Sequence, residues 1–328
     1  MKNQEIKKIA TILKEIQNSI IISGHKHADY DSMCSSLALA LCLKKIGKTV
    51  AVYIEKESKS SIEYFNCNEF LCDEITSDDY TFIALDLNRT SRLPEMMEQY
   101  FKKSKCTLNI DHHNGNTTNS DYIISIPNCS STCEIIYDIL KEMKFKFDKT
   151  ISELLFTGII SDTNLFSNGV SSKTFKIVSD LLKYDVNSDY LIKKFYLEKT
   201  KEELEVISYI IDNLKYDNFH YAVLNMKEAP FNKVSYVDIS KNCLPLILNR
   251  KDIEVLMIIM DYGDKKKGEI RSKNSVDVSK LAELLTGGGH THAAGFSNKK
   301  TLKEIIAISK KYLKECNDGR WTKKSCSW

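Results

Sequence analysis

The stretch SIIISGHKHADYDS, residues 19–32, decides how the rest of the chain is read. Ile20, Ile21 and Ile22 make a short strand with no polar interruption. Gly24 opens a loop, and from Ser32 to Ile46 the apolar residues recur at helical spacing. The same alternation continues along the first half of the chain. Thr49–Ile54 (TVAVYI), Thr81–Leu87 (TFIALDL) and Cys106–Ile110 (CTLNI) are further short apolar runs. Helical patterns at Gln4–Gln17, Pro94–Phe101, Ser131–Met143, Ile151–Ile160 and Ser172–Leu182 lie between or beside them. Strands alternating with helices predict an α/β fold whose mostly parallel sheet is covered on both faces.

A length of 328 residues fits two domains. Asp185–Leu214 reads as one long, charge-rich helix and serves as the connector. Beyond it, His220–Met226, Ile253–Met260 and Gly268–Ser272 read as strands, with helices at Leu244–Asn249, Ser279–Leu285 and Thr301–Glu315. The expected organisation is an N-terminal α/β domain over 1–187, a helical linker over 188–215 and a smaller α/β domain over 216–328.

The 47 basic and 44 acidic residues leave a formal charge of +3, too weak for a protein that coats long nucleic acid. No apolar run reaches the length of a membrane span, and the charged N-terminus does not resemble a secretory leader. The expected location is therefore the cytoplasm, away from membranes. Ten cysteines are scattered without a C-x-x-C pair and read as buried or free thiols. The seven histidines are grouped more tellingly, six of them as His25/His27, His112/His113 and His290/His292.

Four segments place metal-ligating side chains at the ends of regular elements. His25, Asp29 and Asp31 share the loop after the first strand, although both aspartates could equally cap the following helix. Asp86 ends TFIALD, and Asp111-His112-His113 follows TLNI. Asp162 closes an apolar helix, where a carboxylate opposes the helix dipole and calls for a compensating positive charge. Two histidines and four aspartates drawn from these places suit two divalent ions sharing a carboxylate. Such a pair activates water and clamps the oxygens of an in-line phosphoryl displacement. The hard ligand mix favours Mn²⁺, with Mg²⁺ as the other choice, and the lack of thiolates argues against structural zinc. In the second half, GGGHTHAAG (287–295) offers backbone amides to an anion. Arg271-Ser272 ends a strand in a chain with only five arginines, and the guanidinium suits bidentate phosphate binding.

In order, His25-x-x-x-Asp29-x-Asp31, the strand-end Asp86, Asp111-His112-His113 and Asp162-Thr163 resemble the four motifs of the DHH phosphoesterases. GGGHTHAAGF (287–296) resembles the glycine-rich motif of the DHH-associated C-terminal domain. The resemblance runs from about Ile20 to Phe296 and points to the compact branch that includes nano-RNases (oligoribonucleases) with 3′-phosphoadenosine-5′-phosphate (pAp) phosphatase activity. It implies His25, Asp29 and Asp86 on one ion, and Asp31, Asp86, His112 and Asp162 on the other, with Asp86 bridging. It further implies that His113, with Asp111, serves catalysis beside the reacting phosphate. Arg271, Ser272, Gly288, Gly289 and His290 would hold the substrate. Ser130–Glu134 (SSTCE) resembles a Ser-Thr-x-Glu segment of the same branch and would form a wall of the site. Ala28, Cys34 and Asn164 depart from the family's usual proline, glycine and glycine, which affects loop shape and the substrate pocket rather than ligation.

The resulting expectation is a manganese-dependent phosphoesterase acting exonucleolytically on short oligonucleotides, on pAp, or on both, in a cleft between the domains. The alternative is a cyclic-di-AMP or pApA phosphodiesterase. The partners are a short oligonucleotide or nucleotide, not long nucleic acid or membrane, and a homodimer is compatible with this reading.

Overall fold

The computed structural model describes residues 2–274 and 276–317. It divides into two compact units, 1–197 and 198–328.

The first unit begins with helix α1 (Lys2–Glu15), strand β1 (Ser19–Ser23), α2 (Tyr30–Lys45) and β2 (Val50–Tyr53). A one-turn helix, α3 (Lys56–Lys59), and 3₁₀ turns lead to β3 (Tyr80–Leu85), followed by α4 (Glu95–Lys103), β4 (Cys106–Asp111) and β5 (Tyr122–Ser125). Then come α5 (Thr132–Glu142), α6 (Lys149–Asp162), α7 (Ser172–Leu181) and α8 (Ser188–Ile192). The strands form one parallel sheet in the order β2-β1-β3-β4-β5. Both of its faces are buried, as the uninterrupted apolar strands require. Ile20, Ile22, Ile83, Leu85, Leu108 and Ile110 join the core cluster that includes buried residues of α1, α2, α5 and α6. Ile21, Phe82 and Ala84 alternate onto the opposite face, with Met97 and Phe101 of α4. Between β1 and β3 the strand order reverses, so the loops leaving their carboxyl ends diverge and open a crevice there.

The expected strands of this half are present, within a residue or two at their ends. β5 was not expected, because YIIS is too short to stand out. The single connector helix is a correction. After α8 the chain makes a π-helical turn (Lys193–Leu197), breaks, and restarts as α9 (Lys201–Asp212). The break follows from a local signal, because Thr200 and Glu203 form a reciprocal capping box that starts a new helix.

The second unit continues with β6 (Lys215–Tyr216), β7 (His220–Asn225), α10 (Tyr236–Asp238), α11 (Leu244–Leu248), β8 (Val255–Asp261) and β9 (Lys266–Ser272). It ends with α12 (Val278–Leu284), β10 (Gly287–His290), β11 (Ala293–Asn298) and α13 (Leu302–Asn317). Its mixed sheet has the order β10-β11-β9-β8-β7-β6, with β7 and β8 parallel. Leu256, Ile258 and Met260 of central β8 pack in a cluster with Val206 and Ile210 of α9 and with α11. Met257 and Ile259 pack on the other face with residues of α12 and α13.

The glycine run is an edge strand paired with β11. A Cβ on Gly287 would stand 2.0 Å from the Gly295 carbonyl oxygen, and one on Gly289 2.5 Å from the Ala293 carbonyl oxygen. Close strand packing thus demands two of the three glycines. Gly288 alone faces open space.

Candidate metal centre

Asp86 is the hub of the first unit's crevice. It leaves β3 in the left-handed conformation at φ 59°, unusual for a residue with a Cβ. Asn109, buried in the middle of β4, holds the backbone there, its amide donating to the carbonyls of Ala84 (3.2 Å) and Leu87 (2.9 Å). Asn116 donates in turn to Asn109 Oδ1. With the turn held on both sides, the buried carboxylate projects between two imidazoles. Its Oδ2 lies 3.5 Å from His25 Nε2, and its Oδ1 lies 3.5 Å from His112 Nε2. Thr132 Oγ1 also donates to Oδ1, at 3.0 Å.

Each histidine is oriented by its other nitrogen. His25 Nδ1 is 2.9 Å from the Lys26 carbonyl and His112 Nδ1 is 3.3 Å from the Cys129 carbonyl. A carbonyl accepts from Nδ1–H, so Nε2 is the nitrogen that bears a lone pair for a cation.

Asp29 caps a helix with one oxygen and faces His25 with the other. Oδ1 accepts from Ser32 N–H at 3.0 Å and caps α2, while Oδ2 lies 3.7 Å from His25 Nε2. Asp31, in the first turn of α2, is fully buried, and its carboxylate accepts from the backbone N–H groups of Thr132 (2.6 Å) and Cys133 (2.9 Å) at the start of α5. Asp162 ends α6 with Oδ2 3.0 Å from His112 Nε2. Three groups of ligand atoms result: His25 with Asp29 and Asp86, Asp31 with His112 and Asp162, and Asp86 with His112 and His113. Within each group the atoms lie no more than 4.8 Å apart, the spacing of donors that could close on one cation.

The electrostatics favour positive charge in the crevice. Burial disfavours a charged imidazole at His25, but hydrogen bonds to Asp29 and Asp86 outweigh it and hold the pKa near about 10. Burial likewise opposes charge on His112, yet bonding to Asp162 and the nearby carboxylates push it to about 11. Burial and the charges of Asp162 and Asp86 drive Asp31 well above the usual carboxylate range, and burial lifts Asp162 to about 6. Carboxylates so crowded draw positive charge into the crevice. The donor set fits hard or borderline divalent ions.

His113 and Asp111 lie just behind. Both are buried, and His113 Nδ1 stands 2.6 Å from Asp111 Oδ1. His27 is exposed instead, with its backbone N–H donating to Glu55. The segment Ser130–Glu134 contributes through Thr132 and through the helix start that binds Asp31. Asn109 was missed, although an amide inside an apolar buried strand was itself a signal.

In the second unit, Arg271 is already engaged. Its guanidinium lies 2.6 Å from Glu269 Oε2 and donates to Ser240 Oγ at 2.8 Å. Ser272 is buried, and its hydroxyl donates to the Val276 carbonyl at 2.7 Å and lies 3.0 Å from His292 Nδ1. Gly288 and Gly289 belong to the edge strand β10, which His290 ends; the His290 side chain lies outside the described residues. The described cysteines are all free thiols. Among the described residues no helix is long and apolar enough to cross a membrane.

The class this fold and crevice define is also found by family comparison. Residues 19–159 match the DHH family N-terminal domain and residues 231–315 match the DHHA1 domain, so the chain carries both a DHH and a DHHA1 domain. Among curated proteins it is 26% identical over 299 residues to the probable bifunctional oligoribonuclease and PAP phosphatase NrnA of Streptococcus mutans, covering 90% of this chain and 94% of that one. It is 24% identical over 303 residues to the bifunctional oligoribonuclease and PAP phosphatase NrnA of Bacillus subtilis, covering 90% and 93%. In fold it matches an exopolyphosphatase-related protein from Bacteroides fragilis with a TM-score of 0.81 at 22% identity, over 96% of this chain and 97% of that one.

Proposed function

We propose that this protein is a metal-dependent phosphoesterase that hydrolyses short oligonucleotides exonucleolytically, pAp to AMP and phosphate, or both. The observation that carries this reading is the Asp86 carboxylate, one oxygen directed at each of two histidines whose Nδ1 atoms are already held by carbonyls. The family and the names of the two curated relatives support the substrate class.

In this reading His25, Asp29 and Asp86 hold one divalent ion, and Asp31, Asp86, His112 and Asp162 hold the second. Mn²⁺ is the first choice because imidazoles share the site with carboxylates, and Mg²⁺ the second. Two such ions, when bound, supply an activated water and charge stabilisation for an in-line phosphoryl displacement. His113 works as hydrogen-bond donor or general acid. Asp111 accepts its Nδ1–H, which fixes the ring and supports the imidazolium, and Nε2 is the nitrogen assigned to the substrate. Arg271, Gly288, Gly289 and His290 bind a substrate phosphate. Glu269 and Ser240 keep the Arg271 guanidinium in one orientation, and Ser272 braces the end of β9 beside it.

A substrate panel of pAp, di- to pentanucleotides, pApA, cyclic-di-AMP and pyrophosphate, assayed with Mn²⁺, with Mg²⁺ and with chelator, tests this reading. Metal-dependent turnover of pAp or the short oligonucleotides is expected. Preference for cyclic-di-AMP or pApA would replace the substrate assignment, and turnover that survives the chelator would remove the metals from it.

A further inference from the structure

Two to four residues past Asp162, the chain does something costly. Asn164, Leu165 and Phe166 all occupy the left-handed region, at φ 44°, 56° and 65°. Each is penalised by the approach of its Cβ to a carbonyl oxygen, and non-glycine residues visit that region singly rather than in runs. Thr163 pins the turn. Its hydroxyl donates to the Ile159 carbonyl at 2.7 Å and receives the Phe166 N–H at 3.1 Å, while Leu165 N–H reaches the Ile160 carbonyl at 2.9 Å.

The turn brings Phe166 against Phe175 of α7, ring centroids 5.5 Å apart and planes tilted by 37°. Helix α7 turns Thr174, Ile177, Val178 and Leu181 inward, which satisfies its core face. Phe175 is off that face and 51% exposed, where solubility alone would favour a polar residue. The pair is tied to the metal centre through the chain, where Phe166 is four residues from Asp162. The same helix also reaches the wall of the site, where Lys173 Nζ lies 3.8 Å from Cys129 Sγ and the Cys129 carbonyl holds His112.

We propose that Phe166 and Phe175 form the platform on which the base of the substrate nucleotide stacks while its phosphate lies at the metal centre. They would then be the residues that select a nucleotide over a base-free phosphoester. This inference rests on the phosphoesterase reading above. Stacking recognises the π-face that all bases share, so the platform selects for the presence of a base and only weakly for its identity.

The test compares kcat/KM for pAp with kcat/KM for ribose 3′,5′-bisphosphate, which carries the same phosphates without a base, in the full-length protein with Mn²⁺. Phe175→Ala should lower the ratio about tenfold, the loss expected for one base stacked on an aromatic ring. Phe175→Tyr should keep the ratio close to that of the parent protein. Phe166→Leu, which preserves apolar bulk in the strained turn, should lower the ratio as Phe175→Ala does, and unchanged thermal unfolding midpoints would confirm that the variants fold. A ratio that stays at the parent value in Phe175→Ala and Phe166→Leu overturns the platform while leaving the phosphoesterase reading intact. A parent protein that hydrolyses neither bisphosphate nor any di- to pentanucleotide overturns both.

Discussion

His113 Nδ1 lies 2.6 Å from Asp111 Oδ1, and Asp111 is sealed from solvent beneath it. The carboxylate is a positioning group in the proposed mechanism, acting on the substrate through the ring. Asp111→Asn should lower kcat about 10- to 100-fold, as expected when an orienting partner of a functional histidine is lost. KM should change little. Steady-state kinetics and a calorimetric Mn²⁺ titration check this together; a loss of ion affinity as large as the loss of kcat would make Asp111 part of the ion site.

Asp29 should separate its two tasks on mutation. Asp29→Asn retains a good N-cap oxygen for Ser32 N–H but removes the negative charge beside His25. Activity should collapse without loss of thermal stability. Asp29→Ala should match that loss of activity and also cost about 1 kcal/mol of stability through the missing cap. Denaturant melts of the two variants decide it, and equal stabilities would mean the cap contributes nothing.

Asn109 touches none of the ligand oxygens, yet it secures the left-handed turn that aims Asp86. Asn109→Leu fills a similar volume and leaves the two carbonyls without their donor. Mn²⁺ affinity should fall about 10- to 100-fold, as for other outer-shell substitutions. Global stability should fall by about 1–3 kcal/mol from the unsatisfied buried groups. Ion titration and chemical denaturation read the two effects separately.

Away from the crevice, Asp180 ties α7 to α5. The Tyr137 hydroxyl donates to it, Lys183 lies at 2.9 Å and Lys141 at 3.2 Å. The hydrogen bond from Tyr137, followed by that from Lys183, depresses its pKa from 3.8 to about 2. A carboxylate depressed in the folded state contributes stability above its unfolded pKa and loses it as pH falls toward the folded value. Asp180→Asn should therefore melt below the parent at neutral pH, with the gap closing between about pH 4 and pH 2. Melting temperatures measured across that range test the sign.

Much of this molecule could be read before its structure was known, for physical reasons that differ from place to place. β1 and β3 announce themselves because burial on both faces leaves no room for polar residues, as in Ile20–Ile22 and Phe82–Leu85. β5, at the sheet edge with Ile123 exposed, carries no such signature. The aspartates and histidines of the crevice were legible because each follows a recognisable strand or ends a helix. What links them was harder to see: Asn109 stands out in an apolar strand, but its residue type does not say that it works through the carbonyls of Ala84 and Leu87. The glycines at 287 and 289 carry a second demand that their chemistry did not announce, since packing against β11 requires them whatever their backbone amides bind.

One carboxylate facing two imidazoles also bears on how the proposed site fills. Whatever occupies the His25 side of Asp86 changes the charge and orientation that the His112 side sees, and the influence runs equally in reverse. The two positions are then thermodynamically linked and do not titrate as independent compartments. An ion of different size or affinity admitted to one position would retune its neighbour, so the metal content of the cell would act on this protein as a pair of concentrations rather than as one.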